Sequence, residues 1–141
     1  MMKLKISVNF DFGKLANRMD SIIGDYISSY ANNAEEGTKN NIDRRVGADG
    51  RSLKLGKGSY RYGQQALYNT GAMYKSIKGD KDRISIKQYG YMHNQGKFPV
   101  KQGTNVKNFI GTTKGSETKL NKKFMDSVNK TLRSNKVIAS F

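Results

Sequence analysis

The apolar residues change period at Phe12, and that change restricts the folds open to this chain more than any other feature. Leu4, Ile6, Val8 and Phe10 alternate with polar residues, the period of two that puts every second side chain of a strand on one face. From Phe12 onward, Leu15, Met19, Ile22, Ile23, Tyr26, Ile27 and Tyr30 recur at steps of three and four, which lines one side of a helix. Asp11 is placed to cap that helix, and Asn32 to Gly37 are expected to stop it.

The stretch 37–66 then scatters six glycines among Lys, Arg, Asn and Ser with few apolar anchors, which predicts a long loop or an extended arm ordered by a partner. Thr70 opens a short helix in which Met73, Tyr74 and Ile77 share a face. Gly79-Asp80 reads as a turn into a strand over 83–87, with Ile84 and Ile86 pointing inward, and a third short strand is expected over 106–110. Ser116 is placed to cap a last helix carrying Leu120, Phe124, Val128 and Leu132 at four-residue spacing. The tail with Val137, Ile138 and Phe141 is apolar enough to dock. The expected fold is therefore a single α+β domain over 1–141, a small antiparallel sheet packed against a long N-terminal and a C-terminal helix.

Composition removes several classes of chemistry. There is no cysteine, so disulfide frameworks, zinc ribbons and thiol nucleophiles are excluded. No apolar run is long enough to span a membrane and the N-terminus lacks a signal-like apolar block, which predicts a soluble, unexported chain. His93 is the only histidine, and no carboxylate stands three or four residues from it, so it reads as a structural hydrogen-bonder rather than a general base. Neither a catalytic residue, a metal site nor a cofactor is expected.

Charge points to partners. The chain has 26 Lys and Arg against 11 Asp and Glu, and nearly all of the excess falls after residue 46. Such a field attracts polyanions without choosing between nucleic acid and acidic protein. Tyrosines 60, 62, 68, 74, 89 and 91 are interleaved with cations, a mixture suited equally to base stacking and to protein interfaces. Arg51, Lys54, Lys57, Arg61, Lys97, Lys101 and Lys107 are the candidate contacts to a partner or to DNA.

Five segments in order complete the pattern: GADGRSLK, LYNTGAMYKSI, RISIKQ, YGYMHNQGK and VKNFIG. Together they resemble the phage virion morphogenesis family, the Mu-like and lambdoid tail completion or neck proteins. The resemblance covers roughly 47–133 and is carried by Leu67, Thr70, Gly71, Met73, Ser76 and Ile77, by Tyr91, His93, Asn94 and Gly96, and by Phe109, Ile110 and Gly111. Val106 and Lys107 stand where that pattern has proline and arginine, and Leu53 replaces the aromatic of the early loop. The resemblance implies a noncatalytic α+β subunit of the virion neck or tail. It would form a ring, expected to be a hexamer, between the connector or adaptor and the tail tube or terminator proteins, and let DNA pass. The other reading is a small basic nucleic-acid-binding protein; a nuclease built on His93 is the weakest. On the structural reading, Thr70 caps its helix and His93 and Asn94 bridge backbone groups at the turn before Gly96.

Overall fold

The computed structural model describes residues 5–8, 12–112, 114–134 and 137–140. Along the chain these form β1 (Lys5–Val8), α1 (Phe12–Arg44), α2 (Ala72–Ser76), β2 (Lys78–Asp80), β3 (Arg83–Ser85), α3 (Gln88–Asn94), α4 (Lys114–Ser134) and β4 (Val137–Ser140). The architecture is α+β, with a long N-terminal helix, a C-terminal helix and antiparallel strand pairs of two strands each. Among the described residues no helix is long and apolar enough to cross a membrane.

The helix α1 is the beam on which everything else is mounted. It has 33 residues, a length of about 50 Å at the usual rise. Its first half lies against α4, where the Tyr26 and Phe124 rings sit 4.7 Å apart and the Tyr26 hydroxyl donates to Asn121 Oδ1 at 2.6 Å. The two ends of this helical pair are tied by β1 and β4, which pair antiparallel with Val8 opposite Val137 and Lys5 opposite Ser140. The apolar tail segment thus docks as a strand; Leu4, Phe10, Asp11 and Phe141 lie outside the described residues.

The second half of α1 carries the main core. Ile42 from the helix meets Leu53 and Ala66 from the following loop, Met73 from α2, Ile77, Val106 and Phe109. Ile42, Ile77 and Phe109 are fully buried. The β2–β3 hairpin packs across the middle of α1, where the small Ala31 and Ala34 let it approach. An ideal Cβ on Gly79 would run into the Ala31 backbone, so only glycine admits the crossing.

Several expectations are corrected here. Helix α1 does not stop at Asn32–Gly37 but runs on to Arg44, because Ala31, Ala34, Thr38 and Ile42 extend its buried stripe and tertiary burial outweighs the weak local propensity of Asn and Gly. The stop comes from backbone geometry at Arg45, which is left-handed at φ 57°. Val46 N–H donates to the Asn41 carbonyl at 3.0 Å and Arg45 N–H to Ile42 at 3.2 Å, the paired bonds of a Schellman ending. The loop accordingly begins at 45 instead of 37, and it is laid along its own domain rather than extended. Ala48 donates to Asn108 O, Lys54 and Asn105 exchange backbone bonds, and Leu53 and Ala66 are buried. Gly79 and Asp80 belong to β2, and the hairpin turns at Lys81, with φ 44°, and Asp82. No strand forms over 106–110; a single bridge joins Asn105 to Lys54, and Asn108 at φ 56° breaks any ladder. Ser116 lies inside α4, not at its cap.

Two substitutions test this account. The missing Cβ of Gly37 would stand 2.6 Å from Gly111 O and 2.9 Å from Thr112 Cα, backbone atoms that cannot step aside. Gly37→Ala, which ordinarily stabilises a helix, should here destabilise by about 1–3 kcal/mol in urea unfolding. Arg45→Gly should do the reverse and raise stability by about 1 kcal/mol, because glycine adopts the left-handed ending without steric cost.

Candidate functional site

The three motif segments converge on one another and on α1. Asn94 is the junction: its Oδ1 accepts from Ile110 N–H at 2.8 Å and its carbonyl from Asn108 N–H at 3.1 Å. Thr38, fully buried, accepts from Gly111 N–H at 3.1 Å while donating to Ala34 O at 2.6 Å. Asn41 Nδ2 donates to Phe109 O at 2.8 Å. Ser76 Oγ donates to Met73 O at 2.6 Å and accepts from Lys87 N–H at 3.0 Å, which fixes α2 to the start of α3.

The glycines have equally local causes. Gly71 is left-handed at φ 78° and starts α2, with the Thr70 hydroxyl accepting from Ala72 N–H at 3.3 Å. Gly96, φ 68°, ends α3 with the same bond pair that ends α1. Met73 and Ile77 are core residues, Leu67 and Ile110 pack against that core, and Tyr91 is exposed.

His93 and Asn94, expected at the turn before Gly96, are the last two residues of α3, with Gln95 and Gly96 forming the turn, and the expected role of His93 is corrected. Its ring packs on Phe98 with centroids 4.5 Å apart, and its buried Nδ1 has no hydrogen-bond partner among the described residues. Asn94 does the bridging alone. Burial holds the His93 imidazole below the ordinary histidine value of 6.5.

His93 borders the principal cleft, a cavity of about 610 Å³. Buried Met73 and Val106 with half-buried Leu55 and Leu67 form its inner surface. The rim carries Tyr60, 91% exposed, with Tyr89, Val100 and Lys101. Among the described residues no carboxylate lines the cleft. Nearby, the Tyr74 hydroxyl donates to Asp43 Oδ2 at 2.7 Å, and that bond together with burial pushes its phenol up to about 12.

The seven candidate contact cations do not form one cluster. Arg61 and Lys101 border the cleft, and the Lys101 stem lies against Gly58 beside Lys57. The Arg61 guanidinium is already committed to its own loop, donating to Gln64 Oε1 at 3.0 Å, Gln65 O at 3.3 Å and Tyr68 O at 2.7 Å. Arg51 stands 3.9 Å from Asp49, whose carboxylate is held below its usual range chiefly by the Arg51 backbone N–H. Lys54 is exposed on the bridge to Asn105, and the stem of Lys107 lies against Gly96, next in sequence to Lys97.

Gly37, Thr38 and Asn41 escaped the sequence reading because Gly and Asn there resembled a helix stop. Continuing the apolar steps through Ala31, Ala34, Thr38 and Ile42 would have exposed them. No family model, curated protein or solved structure matches the chain.

The half-buried imidazole has a pH signature. With the folded-state value depressed, the unfolded chain takes up the proton first, so the stability is complete above about pH 6.5 and declines as pH falls below it. The thermal midpoint should drop between pH 7 and pH 5, and in His93→Phe that drop should be smaller.

Proposed function

We propose that this chain is a structural subunit of a phage head–tail junction, one that closes into a ring completing the neck or tail and leaving a passage for DNA. Its place is the virion, its task is geometric, and it turns over no substrate. Six copies are the expected ring.

The observation that carries this reading is the apolar surface left on the helical pair. Ile23 and Ile27, one turn apart on α1, are 42% and 40% exposed, and Met125 and Leu132, two turns apart on α4, are 51% and 49% exposed. Side chains of this size at helical spacing are normally buried, and a second copy supplies the missing cover. The packing role of the motif residues also supports the reading. Met73, Ile77, Asn94, Phe109 and Gly111 build a scaffold, and among the described residues no carboxylate lines the cleft that His93 borders.

A second reading, nucleic-acid binding, draws on a different observation. Residues 50–79 carry six basic side chains and 83–112 carry five, with no carboxylate in either stretch, and Tyr60, Tyr62 and Tyr91 are exposed among them.

Light scattering and electron microscopy separate the two. The protein, alone or with connector and tube proteins, should form closed rings, and Ile27→Asp combined with Leu132→Asp should leave folded monomers. A wild-type chain that stays monomeric with those proteins present, yet binds DNA with an affinity collapsing between about 50 and 200 mM salt, would refute the first reading in favour of the second.

A further inference from the structure

The described lining residues of the cleft come from neither α1 nor α4, the helices that carry the exposed apolar side chains, and they are specific enough to describe an occupant. Its inner surface is aliphatic: Met73 and Val106 are buried, Leu55 and Leu67 half-buried. Its volume, about 610 Å³, falls within the usual few hundred to 1,000 Å³ of sites that enclose a compact apolar group. The described lining comes from the two stretches 50–79 and 83–112, in which there is no Asp or Glu, so the formal charges it presents, Arg61 and Lys101, are positive. Tyr60 and Tyr89 stand at the rim, the residue type that gives contact area at small entropic cost.

We propose that this cleft is the docking site for an acidic peptide segment of a neighbouring protein. One large apolar side chain of that segment enters between Leu55, Leu67, Met73 and Val106, and its flanking carboxylates face Lys101 and Lys57. The assembly reading above supplies only the kind of neighbour, a protein of the same junction; the cleft chemistry stands apart from ring formation.

The alternative occupant, a nucleic-acid strand, fits less well. Strand binding needs several free cations along a track, and at this opening the Arg61 guanidinium is held by Gln64, Gln65 and Tyr68, which leaves Lys101 as the uncommitted Lys or Arg among the described residues of the lining. The aliphatic part of the lining, Leu55, Leu67, Met73 and Val106, offers no donor or acceptor to a base edge, and the polar groups apart from the rim tyrosines and the two cations are Ser59, Asn69, Thr70, His93 and Thr104. An apolar anchor between carboxylates satisfies both parts of the lining.

The test uses the full chain and fluorescein-labelled ten-residue peptides of Asp, Glu and Ser with Phe, Leu, Met or Trp at the centre. An otherwise identical peptide with central Ser and a ten-nucleotide oligothymidylate are the comparators. Anisotropy titrations should show at least one anchored peptide binding about tenfold tighter than the Ser peptide. Lys101→Glu should weaken that peptide about tenfold while the control Lys130→Glu on α4 changes it little, and both variants should keep the wild-type melting temperature.

Three results would overturn the proposal. Anchored and Ser peptides could bind alike; Lys130→Glu could weaken binding as much as Lys101→Glu; or oligothymidylate could bind more tightly than every peptide and lose that binding in Lys101→Glu. Rings seen by microscopy alongside any of these would leave the assembly reading standing and remove only this one.

Discussion

Backbone meets backbone where α1 crosses the segment 109–112, and the rest of the head of this molecule is arranged around that crossing. The approach is possible because Gly37 has no side chain, and it is locked by Thr38 and Asn41, one and four positions later on the same helical face. Phe109 is thereby pressed onto Ile42 and Ile77 in the core. A buried threonine and asparagine are costly unless every polar group finds a partner, and here the partners are carbonyls and an amide that have no strand to pair with. The same bonds that satisfy the side chains satisfy the irregular backbone.

This explains how a chain with so little regular structure between Arg45 and Lys114 keeps a defined core. The loops are secured by side chains, not by ladders. Asp49 accepts from Arg51 N–H at 3.0 Å and Asn108 Nδ2 at 3.2 Å, Gln65 donates to Ile42 O at 3.1 Å, and Glu35 accepts from Gly79 N–H at 2.7 Å. Glu35 also pairs with Lys39 at 2.6 Å, and its carboxyl is held below the usual carboxylate range first by that lysine and then by the Gly79 amide. The bonds of Asp49 to Asn108, Gln65 to Ile42 and Glu35 to Gly79 join segments distant in sequence, and those of Arg51 and Lys39 brace them locally.

What was legible in the sequence follows from range. The alternation over 3–10, the helical steps from Phe12 and the four-residue steps from Leu120 are local patterns, and they yield β1, α1 and α4. The far end of α1 was missed because Asn32, Asn33 and Gly37 are weak helix formers, and the place of Gly37 is decided by Gly111 and Thr112, more than 70 positions away. The strand expected over 106–110 failed for a related reason: alternation of apolar residues describes a side-chain pattern, and Asn108 in the left-handed region prevents the backbone from following it. Of the motif residues read as scaffold, Met73, Ile77 and Phe109 lie in the core and Asn94 bonds Ile110 and Asn108. His93 was assigned a bond that its buried Nδ1 does not make.

Helix α1 also has a mechanical consequence. One rod, about 50 Å long, is gripped at Tyr26 by α4 and near its end by the core that frames the cleft. A tilt of about ten degrees at Tyr26 sweeps the far end, about 27 Å away, through roughly 5 Å if the rod stays straight. Small adjustments in how such rods lean on one another are therefore magnified into large displacements of whatever the opposite tips hold.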